Sequence, residues 1–91
     1  MTARLIRTDA INRTRLRVSQ GIKKEVLSWG LPQVKIAERL DTHRVRVNRI
    51  MLDKIDDISM EALLYYAELA GVEVSIIVSD DPKPKLPKER I

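Results

Sequence analysis

Few side chains in this 91-residue sequence could do covalent chemistry. It contains no cysteine, which removes thiol catalysis, disulfide scaffolds and cysteine-bearing zinc fingers. The single histidine, His43, has no evident triad geometry around it, and one histidine without cysteine argues against a protein-built zinc site. No Gly-rich phosphate loop is present. The adjacent acids Asp56-Asp57 read as a turn before a helix. Tyr65-Tyr66 fall on a helical stretch where at least one belongs to a core, and too few other aromatics accompany them to stack on bases. The expectation is a protein that is not an enzyme and holds no cofactor or metal. What remains is binding chemistry, and its carriers are arginine and lysine.

Those charges are segregated along the chain. Residues 1–54 hold 13 Lys/Arg against 5 Asp/Glu, residues 55–81 hold seven acids and no base, and residues 82–91 hold four bases and Glu89. A net charge of +4 therefore conceals a basic half that can meet a polyanion and an acidic stretch that would avoid one. No apolar run reaches the roughly 18–20 residues of a membrane span, and Met1-Thr2-Ala3-Arg4-Leu5-Ile6-Arg7 lacks the apolar stretch of a secretory signal. These features lead to the expectation of a soluble, cytoplasmic protein without a membrane partner. One small domain has a marginal core, which oligomerisation would supplement.

The elements that must position the basic residues follow from periodicity. Arg13-Thr14-Arg15-Leu16-Arg17-Val18 alternates as an extended arm or edge strand would, while Ile11, Arg15 and Val18 also share a helical face; both readings stand at this level. Ser19 is a candidate N-cap for a helix carrying Ile22, Val26 and Trp29, with Gly30 as its left-handed stop. Pro32-Gln33 opens a short helix with Ile36, Ala37 and Leu40, and Asp41-Thr42-His43 is a turn. A third helix carries Val47, Ile50 and Met51. Ser59 caps a fourth, with Ile58 placed to staple onto Leu63, Glu61 favourable in the first turn, Leu63, Ala67 and Ala70 inward, and Gly71 as the stop. The period then changes to two, and Val72, Val74, Ile76 and Val78 line one face of a predicted strand over 72–78. A lone strand leaves its backbone donors and acceptors unpaired, so it calls for a partner: the segment 13–18, the same strand of a second subunit, or another protein. The expected organisation is a basic arm (1–18), a mostly α domain of four to five short helices with a closing strand (19–79), and a Pro/Lys-rich flexible tail (80–91).

Between Gln33 and Ile50 the spacing is that of a helix-turn-helix. Ala37 is small where two helices must approach closely, and Asp41 occupies the turn position that needs positive φ. Ile36, Leu40, Val47 and Ile50 are the inward anchors.

Gly30-Leu31-Pro32-Gln33-Val34-Lys35-Ile36-Ala37-Glu38-Arg39-Leu40-Asp41 resembles the opening of the motif in the lambda-repressor/Cro-like (XRE) family, and Arg44-Val45-Arg46-Val47-Asn48-Arg49-Ile50 resembles its recognition helix. Ile58 to Leu64 and Ala67 to Val74 are similar to the fourth helix and closing strand of a branch that includes HigA-type antitoxins. The resemblance covers roughly residues 20–78. It departs from the family at Pro32 for Thr/Ser, Asp41 for Gly, Thr42 for an apolar plug, and Met51-Leu52 for Glu-Asn.

The resemblance implies sequence-specific binding of double-stranded DNA by a homodimeric transcriptional regulator, a repressor of phage or bacterial genes, with a recognition helix at about 43–52 in the major groove. His43, Arg44, Val45, Asn48 and Arg49 would meet base edges, with Arg44 first for guanine and Val45 for a thymine methyl. Gln33, Lys35, Arg46 and Lys54 would meet phosphates. Val72, Val74, Ile76 and Val78 would form the dimer interface. Two alternatives share these residues: an antitoxin that binds a toxin and autoregulates its operon, and a protein-interaction module that has lost DNA binding.

Overall fold

The computed structural model describes residues 9–77, and within them four helices follow one another: α1 (Asp9–Leu27), α2 (Gln33–Arg39), α3 (Arg44–Met51) and α4 (Met60–Ala70). The first departs most from expectation. Residues 9–18 continue into α1 rather than forming an extended arm, because Arg15, Val18, Ser19, Ile22 and Val26 recur at helical spacing and are all buried along one stripe. The 3.6-residue period therefore overrides the alternation read at 13–18. Ser19 lies in the middle of this helix, so it is not an N-cap. Residues 1–8 of the expected arm lie outside the described residues, as do Val78 and the tail.

The remaining helix ends follow local rules. α1 tightens through bonds from Ser28, Trp29 and Gly30 N–H to carbonyls three residues back, and Gly30 takes φ +67°. α2 ends in a Schellman arrangement: Thr42 N–H donates to the Ala37 carbonyl and Asp41 N–H to that of Glu38, with Asp41 left-handed at φ 56°. α3 repeats it with Asp53 at φ 59°, Lys54 N–H donating to the Arg49 carbonyl and Asp53 N–H to that of Ile50. α4 is capped by Ser59, whose Oγ accepts from the Ala62 N–H at 3.1 Å, and Gly71 closes it at φ +79°. Ile58 and Leu63, the expected staple pair, are both fully buried.

One apolar core unites these elements. α1 packs mainly on α4 and also on α3, while α2 packs on α3. Ile22 and Val26 of α1 meet Ile36, Ala37 and Leu40 of α2, Val47 and Ile50 of α3, and Leu63, Tyr66, Ala67 and Ala70 of α4 in one buried cluster. Ile55 and Ile58 pin the connection between α3 and α4 into the same cluster.

No strand forms among the described residues, which corrects the expectation for 72–78. A ladder needs a second extended segment, and the internal candidate at 13–18 is helical. Val72 and Val74 instead lie half-buried against the core, with Val72 Cγ1 facing Gly21 of α1. Ile76 and Ile77 are 69% and 89% exposed. No described helix is long and apolar enough to cross a membrane.

Among the described residues, two buried side-chain polar atoms lack a partner. Arg15 donates through Nη2 to the Asp56 carbonyl at 3.4 Å while its Nε makes no bond, and the Ser19 hydroxyl is wholly enclosed without one. An unpaired buried hydroxyl is destabilising. Ser19→Ala is therefore expected to stabilise the fold by about 1 kcal/mol, raising Tm by about 4–8 °C for a domain of this size in a thermal melt; an unchanged or lowered Tm would contradict the assignment.

Candidate nucleic-acid interface

The two faces of α3 are sharply divided. Val47 and Ile50 are buried, Arg46 and Met51 are half-buried, and Arg44, Val45, Asn48 and Arg49 are exposed. A helix advancing about 100° per residue puts 44, 45, 48 and 49 together on the side opposite the core. Val45 is 62% exposed, and Leu52, just past the helix, is 55% exposed. The small Ala37 is buried in the core that α2 and α3 share, as the spacing predicts.

His43 takes the N-cap position of α3 with φ −108° and ψ 154°, and its side chain makes no capping bond. Pro32 stands in the same position before α2 and offers none either. The first-turn N–H groups of α2 and α3 are thus free of side-chain caps.

Several predicted contact residues prove to be tied to neighbours. Gln33 Nε2 donates to Asn48 Oδ1 at 3.3 Å, linking the head of α2 to the exposed face of α3. Arg49 Nη1 pairs with Asp57 in the connection before α4, and this hydrogen bond, aided by the charges of Arg49 and Arg46, holds the Asp57 carboxyl below its ordinary range. Arg46 turns inward, donating to the Tyr66 hydroxyl at 3.0 Å, which gives it a structural duty besides any phosphate contact. Lys35 pairs with Glu38 one turn on, at 3.6 Å. Lys54 is exposed, and Arg44 has no side-chain partner among the described residues. Of the expected dimer residues, Val72 and Val74 lie half-buried against the chain's own core, Ile76 is exposed, and Val78 lies outside the described residues.

Sequence reasoning missed the pair that braces the turn. Tyr65 donates to Asp41 Oδ2 at 2.8 Å, and Tyr66 donates to Thr42 Oγ1 at 3.3 Å. Two consecutive residues of α4 thus grip two consecutive residues of the turn that sets α3 against α2. Thr42 was the available signal: a hydroxyl where the motif places an apolar plug requires a partner, and Tyr66 supplies it. Asp53 was also missed as a left-handed residue, although an aspartate directly after a helical stretch is a tolerable stop; Lys23 of α1 pairs with it at 3.5 Å.

A family model described as a helix-turn-helix domain matches residues 5–79. No curated protein and no solved structure matches the chain.

The Tyr65–Asp41 bond raises the Tyr65 pKa above its ordinary 10.0, first through the hydrogen bond and then through the carboxylate charge. A group with a raised folded-state pKa contributes fully below the ordinary value and loses its contribution as pH climbs through the raised one. In a Tyr66→Phe variant, where Tyr65 is the only tyrosine, ultraviolet titration is expected to place phenolate formation above that value. Adding Asp41→Asn should bring it back down, and an unmoved midpoint would mean the bond is absent in solution.

Proposed function

The chain belongs to the helix-turn-helix domain family, and on that premise we propose that it binds double-stranded DNA sequence-specifically, as a dimeric transcriptional regulator of the lambda-repressor/Cro-like kind that represses phage or bacterial genes. The observation that carries this reading is the division of α3, with Val47 and Ile50 buried and Arg44, Val45, Asn48 and Arg49 exposed. In the major groove Arg44 is the first choice for guanine O6/N7, a contact that discriminates by about 1–3 kcal/mol. Val45 packs on a thymine methyl. Asn48 reaches a base edge while Gln33, bonded to it, faces the phosphate at the head of α2, where uncapped N–H groups add their donors. His43, Lys35, Arg46 and Lys54 complete the set with base or backbone contacts.

One short helix reads few base pairs, so specificity calls for a second copy, with half-sites about one helical turn apart. Open backbone after α4 supports this: beyond the Val72 N–H, which bonds to the Ala67 carbonyl, residues 73–77 make no backbone hydrogen bonds to other described residues. Antiparallel pairing of this segment with its counterpart across a dyad satisfies those groups and covers Ile76.

A second reading, an interaction module or an antitoxin of the HigA branch, is favoured by Leu52, an exposed apolar residue beside the recognition face. Selection of bound sites from random duplex DNA, repeated with Arg44→Ala, tests the first reading. The expected result is a two-fold symmetric motif that loses preference at one position per half-site in the variant. Log K for the selected site should fall steeply with log salt, by about 0.9 per phosphate neutralised; a flat or absent response would reject DNA binding in favour of a protein partner.

A further inference from the structure

Three side chains on α3 are restrained by the rest of the fold: Arg46 by Tyr66, Asn48 by Gln33 and Arg49 by Asp57. The first two restraints are neutral hydroxyl and amide groups. The third is a full negative charge set beside the surface assigned to DNA, where an acid is out of place on electrostatic grounds. An exposed ion pair contributes little to folding, and both partners here are substantially exposed. The effect of Asp57 therefore falls on where Arg49 points.

We infer that Asp57 is a positioning residue for base reading: it holds one end of the Arg49 guanidinium and withholds it from the phosphates, leaving the other edge to a base. The inference rests on the DNA-binding reading above. Among the described residues only Nη1 of Arg49 is engaged by a side chain. A guanidinium carries five donors in a rigid plane, so the Nε–Nη2 edge still presents two parallel N–H groups. That edge matches the O6 and N7 acceptors of guanine. A phosphate approaching the same arginine meets the Asp57 carboxylate, ionised at neutral pH like any exposed aspartate. Non-specific binding, which depends on phosphates, is thereby penalised more than binding at a site offering guanine. Arg44, with no restraining partner among the described residues, lacks this filter.

The test compares wild type, Asp57→Asn, Arg49→Gln and the double variant on three duplexes: the selected site, that site with the base pair read by Arg49 replaced, and random sequence, each across a salt series. Asp57→Asn is expected to tighten random-sequence binding and to steepen its salt slope by about one phosphate's worth. Preference for the selected over the substituted site should fall at least about fivefold, the lower end of one arginine–guanine contact. In the Arg49→Gln background, Asp57→Asn should leave the preference unchanged, because the residue acts through Arg49. A merely structural role would instead lower Tm and weaken all three duplexes alike, and that result overturns the inference. So does unaltered preference and slope in Asp57→Asn while the wild type binds DNA. Failure of the wild type to bind any duplex at low salt overturns the DNA-binding reading itself, and this one with it.

Discussion

Everything the exposed face of α3 can do depends on how the chain reverses at Asp41. A left-handed residue there, φ 56°, lets α2 close with both Schellman bonds and sets the direction in which α3 departs. A side chain in that conformation is unfavourable by about 1–2 kcal/mol, so an aspartate needs support that glycine would not. The support comes from α4, through Tyr65 on Asp41 and Tyr66 on Thr42 and Arg46. The helix that carries no candidate base contact thereby fixes the attitude of the one that does, and buried Ala37, Val47 and Ile50 keep it seated.

The charge segregation acquires a three-dimensional meaning from the same contacts. Exposed bases lie along α1 (Arg13, Arg17, Lys24) and on α3, whereas Glu61 and Glu68 are exposed on α4. Acids and bases meet around the end of α3, where Lys23 pairs with Asp53 and Arg49 with Asp57. The acidic stretch is thus more than a surface kept from a polyanion, since one of its members reaches a residue of the candidate interface.

The motif was legible because its constraints are local. Ala37, the turn residue Asp41, the inward Val47 and Ile50, the Ser59 cap and the Gly71 stop each follow from sterics or hydrogen bonding within a few residues, and each is found in place. Two segments escape local rules because the decisive partner is distant in sequence: 13–18, where strand and helix both fit, and 72–78, read as a strand. Residues 13–18 alternate like a strand, yet burial of Arg15 and Val18 against the rest of the core selects the helix. Residues 72–77 alternate as well, but a strand is defined by its neighbour, and no second extended segment among the described residues pairs with them. The ties that restrain Asn48, Arg49 and Arg46 were invisible for the same reason: Gln33, Asp57 and Tyr66 lie 15, 8 and 20 residues away, and only the packed fold brings them within reach.

The unladdered segment after α4 also bears on colloidal behaviour. Exposed Ile76 and Ile77, followed in sequence by Val78, make a β-prone apolar run shorter than the roughly six- or seven-residue segments that build fibrils. It is flanked by Glu73 on one side and by Asp80-Asp81 on the other, like charges that would be stacked against themselves in any in-register aggregate. Carboxylates at both ends thus act as gatekeepers that oppose such stacking by like-charge repulsion.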